Sequence, residues 1–105
     1  LNGVYCGVGD DLQISGITNQ FILGLTKTLQ SSKAKTFTVN AGVGKHIYYI
    51  LPTRYGAPVF KVGGFEGGFG KLGTVNFTNS SSYAENYDVY KSSNAGLGNT
   101  TVVVS

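Results

Sequence analysis

The chain has 105 residues, a net charge of +3 and 41% apolar residues, so it is long enough for one domain and too apolar for a disordered chain. Charged residues make up only 12% and there are 16 glycines, a composition that suits an extracellular β-protein or a protein whose surface is shielded in an assembly. The eight basic residues are scattered, which argues against a nucleic-acid surface, and no apolar run is long enough to span a membrane.

The beginning of the chain is its least regular part. Phe21, Leu23 and Leu25 alternate as in a strand, whereas Ile17, Phe21 and Leu25 also fit a helical stripe. Gly24 and the threonines that follow favour the strand.

Two regions are predicted on this basis. Residues 1–25 are expected to form an N-terminal arm or linker, or the first strand or strands, and residues 26–105 a β-sandwich domain. Because the chain starts at Leu1 rather than Met, we expect a processed chain or a fragment, most simply the C-terminal end of a longer protein.

Six later segments are predicted strands, because apolar and polar residues alternate in them or β-branched residues dominate. Turns rich in Gly, Asn, Ser and Pro separate them at the spacing seen in all-β domains. We therefore predict an all-β fold, an antiparallel β-sandwich of about six to eight strands, jelly-roll-like or immunoglobulin-like. The segments are 35–39, 45–51, 58–62, 74–78, 85–91 and 100–104.

The strand predicted at 45–51 is apolar on both faces. His46, Tyr48 and Ile50 share the face that would normally be polar. Such a strand lies inside a sandwich or against a neighbouring subunit. These three residues are accordingly our candidates for a subunit interface.

The segment 62–70 contains Gly-Gly-Phe twice and connects two predicted strands. Paired glycines allow backbone shapes that side chains forbid, and a soluble loop seldom exposes phenylalanine without a reason. The segment is therefore either a packed turn or a presented contact surface. Phe65, Glu66 and Phe69 are candidate ligand or partner contacts.

The strand predicted at 85–91 adds two further candidate contact residues. Tyr87 and Val89 share one face, and Asn86, Asp88 and Tyr90 the other, polar face. Tyr90 is expected to be exposed there, where its ring would stack on a sugar or a partner. Asn86 and Tyr90 therefore join the ligand or partner contacts.

Residues suited to catalysis are scarce. His46 is the only histidine and lies within a predicted strand, which favours a structural role. Cys6 is the only cysteine, so an internal disulfide is excluded and a small buried side chain is expected. Asp10 and Asp11 lack the spacing of a calcium loop. We predict no catalytic residue, no metal and no cofactor.

An ordered set of motifs resembles C-terminal β-domains of tailed-bacteriophage tail, baseplate or fibre proteins. It comprises an aromatic strand that ends in Pro, a Gly-Gly-Phe turn and a closing Tyr-x-Val-Tyr strand. The resemblance implies a structural or host-recognition role in the virion, and many such fibre domains are homotrimers. The matching residues are 46–52, 55–56, 60–65, 79–83 and 85–92.

Two functions are therefore expected. The first is a non-enzymatic domain of a phage tail fibre or baseplate-type protein, located in the virion or outside the cell. It would act in assembly or host attachment, with itself, as a trimer, and other virion proteins as partners. The alternative is a carbohydrate-binding, lectin-like module that uses exposed Tyr and Phe with Asn, Asp and Glu to bind a host surface glycan. An enzyme or a nucleic-acid binder is less favoured.

Overall fold

Nine strands and one short helix form the protein in a computed structural model that describes residues 1–105. The helix, α1, spans Asn19–Leu23, and single 3-10 turns lie at Ile14–Gly16 and Thr53–Tyr55. The strands are β1 (Val4–Gly9), β2 (Thr26–Thr28), β3 (Lys35–Ala41), β4 (His46–Pro52), β5 (Phe60–Val62), β6 (Phe65–Glu66), β7 (Phe69–Thr78), β8 (Ala84–Ser92) and β9 (Gly98–Val104).

The strands form two antiparallel sheets. One has the order β2-β1-β4-β8-β7 and the other the order β3-β9-β5-β6. All six strands expected from the alternation are present, and the prediction of an all-β antiparallel sandwich is confirmed.

The core between the two sheets is rich in aromatic rings. The Tyr49 ring stacks on Phe37 with 5.9 Å between centroids and meets Phe60 edge-on at 5.5 Å. The Phe60 ring in turn lies 5.3 Å from that of Tyr90. Each such ring removes a large apolar area from water, so these contacts hold the two sheets together.

A second core covers the other face of the five-stranded sheet. Ile17 and Ile22, from the segment between β1 and β2, pack there against Tyr48, Ile50 and other buried residues of the sheet. This cover explains why β4 is apolar on both faces.

The assignment of a subunit interface to β4 is therefore wrong. Tyr48 and Ile50 are fully buried, and His46 nearly so, within a single chain. The apolar face seals against the protein's own N-terminal segment.

The N-terminal residues are part of the sandwich rather than an arm. β1 pairs with β4 on one side and with β2 on the other. Gly9 of β1 allows a close approach, since a Cβ at that position would lie 2.7 Å from the Phe21 ring. The strand expected around Phe21 is wrong for residues 19–23, which form α1, whereas the threonines that follow do form the strand β2. The Thr18 hydroxyl caps the helix by accepting a hydrogen bond from the Phe21 N–H at 3.1 Å.

Candidate binding site at the sheet edge

The first Gly-Gly-Phe forms a β-hairpin that presents its phenylalanine. Gly63 and Gly64 have φ angles of 58° and 86°, as a two-residue hairpin turn of type I′ requires. They join β5 to β6, and Val62 pairs with Phe65 across the turn. Phe65 is 82% exposed and the adjacent Glu66 is also exposed. This half of the repeat is a presented surface.

The second Gly-Gly-Phe is packed instead. Phe69 begins β7 and its ring stacks on Phe60 with 4.2 Å between centroids. Tyr90 lies against the same Phe60 ring and is only 8% exposed. The expectation that Tyr90 is exposed is therefore wrong, because the second sheet covers that part of β8.

Asn86 remains exposed on the part of β8 near the β7–β8 turn. Its side-chain oxygen accepts a hydrogen bond from the Asn76 amide at 2.8 Å. Phe65 and Glu66 belong to one sheet and Asn86 to the other. The five predicted contacts therefore occupy different places: an exposed hairpin, an aromatic core and a polar strand end.

A polar cavity of about 330 Å³ lies elsewhere, where β4 begins and β8 ends. β7 contributes its first residues, next to a bulge between Lys71 and Gly73. Only one of the eight residues that line the cavity is hydrophobic. The lining consists of Asp11, His46, Gly70, Lys71, Leu72, Lys91, Ser92 and Ser93.

His46 is held in one orientation at the wall of this cavity. Its Nδ1 lies 2.7 Å from the carbonyl oxygen of Ser92. A carbonyl can only accept, so Nδ1 carries a proton and donates. In the neutral ring the other nitrogen, Nε2, is therefore an acceptor, and it lies 3.7 Å from Asp11 Oδ1.

Asp11 is fastened to the sheet by a lysine. Lys91 Nζ donates to Asp11 Oδ1 at 2.6 Å and to the Leu12 carbonyl at 3.0 Å. The hydrogen bond from this ammonium, together with its charge, lowers the pKa of Asp11. The neighbouring Asp10 pairs with Lys45.

The hydroxyl of Ser92, beside His46, hydrogen-bonds to backbone groups. Ser92 Oγ accepts from the Ile47 N–H at 2.9 Å and donates to the Asn94 carbonyl at 2.9 Å. His46 bonds the carbonyl of Ser92 and not its hydroxyl, so the pair is not arranged as a nucleophile and its base. Nowhere do three His, Cys, Asp or Glu side chains lie close enough together to hold a metal ion. The cavity offers hydrogen bonds and charge to a polar ligand.

The sequence reasoning missed this cavity. Asp11, Lys71 and Lys91 were not candidates for a binding site, and His46 was assigned to an interface. The residues are up to 80 positions apart and meet because β4 pairs with β1 and β8, and β8 pairs with β7. No local motif could have indicated their meeting.

Comparisons with protein-family models, with curated proteins and with solved structures gave no match for this chain. The structure contains no helix with the length and apolar character needed to cross a membrane.

Proposed function

We propose that this chain is a non-enzymatic β-domain of a phage tail fibre or baseplate-type virion protein, acting by surface contact in assembly or in attachment to the host cell. The resemblance of its motifs supports the phage assignment. The observation that carries the contact role is the exposed Phe65 on the β5–β6 hairpin.

Phe65 has the properties of a contact residue. Its ring is 82% exposed on a two-residue strand at the edge of the four-stranded sheet. Covering such a ring contributes about 1.5–3 kcal/mol to association, and aromatic residues are common among those that dominate binding energy. The two positive-φ glycines hold the ring in place without a long flexible loop.

The proposal includes self-association as a homotrimer in the virion, in which the Phe65 side chain is covered. Light scattering after gel filtration tests this: the wild type is expected to run as a trimer and Phe65→Ala to dissociate at lower protein concentration. Tyr83→Ala is the matched control, because Tyr83 is a similarly exposed aromatic residue in the β7–β8 turn. A wild-type chain that is monomeric at every concentration contradicts the trimer.

Attachment is tested separately with fluorescently labelled protein on a panel of bacterial strains. We expect retention on the cells of at least one strain, and weaker retention for Phe65→Ala than for Tyr83→Ala. If the protein is retained on no strain and is also monomeric, both the attachment role and the assembly role are contradicted.

The second candidate function is a carbohydrate-binding module, and the polar cavity around His46 favours it. The cavity combines carboxylate, imidazole, ammonium and hydroxyl groups, which are the groups that bind sugar hydroxyls. An array of bacterial surface glycans tests this candidate. Binding to none of the glycans counts against it.

A further inference from the structure

When the His46 ring is neutral, its Nε2 is an acceptor without a donor, and it faces an Asp11 oxygen that already accepts from Lys91. His46 Nε2 lies 3.7 Å from Asp11 Oδ1 and has no hydrogen bond. The His46 side chain is only 10% exposed, but its Nε2 is not closed off from solvent. A ligand hydroxyl that donates a hydrogen bond would satisfy the ring nitrogen.

The charges in the cavity disfavour a metal cation as that ligand. Lys91 places an ammonium 2.6 Å from the Asp11 oxygen that a metal would need. The Lys71 ammonium lies 3.5 Å from Asp88, which does not line the cavity. A cation would be repelled by Lys91, and only Leu72 among the lining residues is hydrophobic.

We infer that this cavity binds one sugar residue of a glycan, with ring hydroxyls that donate to His46 Nε2 and Asp11 and accept from Lys91 and Ser93. This inference rests on the carbohydrate-binding function proposed above and adds the site at which the sugar binds. A sugar hydroxyl both donates and accepts, which suits a lining that holds acceptors next to donors. The volume of about 330 Å³ is at the small end of ligand cavities, as a single ring requires.

Gly70 offers a way to fill the cavity without removing a polar group. It lines the cavity and pairs with Lys91 across the strands, so a side chain there would stand beside the lysine. A Cβ at Gly70 would meet no atom within 4 Å, and valine is favoured in strands. Gly70→Val should therefore fold normally and narrow the cavity.

The experiment is a titration of the isotopically labelled chain, followed by amide chemical shifts. The probes are glucose, galactose, rhamnose, N-acetylglucosamine and glucuronic acid, each at millimolar concentration. We expect at least one sugar to shift the amides of residues 70–72 and 91–93. A preference for glucuronic acid would indicate that Lys91 binds a sugar carboxylate, and a preference for a neutral sugar would indicate that it binds hydroxyls.

Two variants and one control complete the test. His46→Asn keeps a donor for the Ser92 carbonyl and removes Nε2, so affinity should fall by about threefold to tenfold. Gly70→Val should abolish the shifts. Gly42→Val is the control, because Gly42 has equally open surroundings, lies in the β3–β4 loop and does not line the cavity.

The inference is overturned if none of these sugars shifts the cavity amides, or if Gly70→Val and His46→Asn bind as the wild type does. Glycan-array binding that survives in both variants would keep the carbohydrate function and place it elsewhere. If His46→Asn fails to fold, Gly70→Val alone still decides the outcome.

Discussion

Replacing Tyr48 by phenylalanine tests how the N-terminal segment is fastened to the sheet. The Tyr48 hydroxyl donates to the Asp10 carbonyl and accepts from the Leu12 N–H at 3.0 Å. Tyr48→Phe keeps the fully buried ring and removes both hydrogen bonds. At about 0.5–1.5 kcal/mol for each bond, the free energy of unfolding should fall by about 1–3 kcal/mol. The melting temperature should fall by about 4–8 °C for each kcal/mol.

Tyr87→Phe is the matched control, and its expected effect has the opposite sign. Tyr87 is also fully buried, but its hydroxyl has no hydrogen-bond partner. Burial, with a smaller effect of the Glu85 charge, raises the pKa of Tyr87 to about 12. Removing an unpaired buried hydroxyl should leave stability unchanged or raise it by about 1 kcal/mol.

Urea unfolding followed by far-ultraviolet circular dichroism measures both variants. The reasoning is refuted if Tyr48→Phe stays within about 0.5 kcal/mol of the wild type, the usual range for surface changes. It is also refuted if the Tyr87 variant loses as much stability as the Tyr48 variant.

Three further outcomes follow from burial and charge. Lys91 lowers the pKa of Asp11, so the ion pair contributes to stability above the ordinary carboxyl pKa, and this contribution is lost as the pH falls through the lowered pKa. The urea midpoint should therefore decline less on acidification in Asp11→Asn than in the wild type. Equal declines would contradict the pairing of Asp11 with Lys91. Burial raises the pKa of Cys6, so a disulfide reagent should modify it slowly in the native protein and rapidly in urea, and rapid native labelling would show that the thiol is accessible. Phe65→Ala should change stability by less than about 0.5 kcal/mol because the ring is exposed, whereas Phe60→Ala should cost about 3–5 kcal/mol; a large loss in the Phe65 variant would mean that this ring packs within the chain.

Strands with a regular pattern could be predicted from the sequence. In β3, Phe37 and Val39 alternate with threonines, and the structure buries Phe37 while exposing the threonines. β4 was recognised from its two apolar faces, although the sequence left open whether its own chain or a neighbour covers them. That question depends on contacts far apart in the sequence, which alternation does not encode.

The sequence left a strand in residues 1–25 as only one of two alternatives, because packing decides the composition of β1. Its residues at positions 7 and 9 are glycines, which normally weaken a strand. They are accommodated because Leu25 and Phe21 lie directly over them. The two glycines that make β1 hard to recognise in the sequence are thus required by the side chains that pack over the strand.

The polar face predicted for β8 fails for a related reason. Asp88 is buried, and it accepts hydrogen bonds from Thr53 at 2.7 Å and from Thr74 at 2.8 Å. The sequence alone does not distinguish a buried carboxylate that has hydrogen-bond partners from an exposed one. Tyr90, two residues later, is covered by Phe60 of the other sheet.

The case for self-association changes once β4 is covered by its own chain. The most exposed apolar side chains lie in separate connections between strands or on a short edge strand; they are Leu29, Val43, Phe65 and Tyr83. A trimer that buries Phe65 would be joined through the β5–β6 hairpin rather than through a sheet face. Replacing Phe65 should then weaken assembly and leave the His46 cavity intact, whereas Gly70→Val should close the cavity and leave assembly unchanged. If the same substitution removed both properties, subunit contact and ligand binding would have to share one surface, and the two proposals would become one.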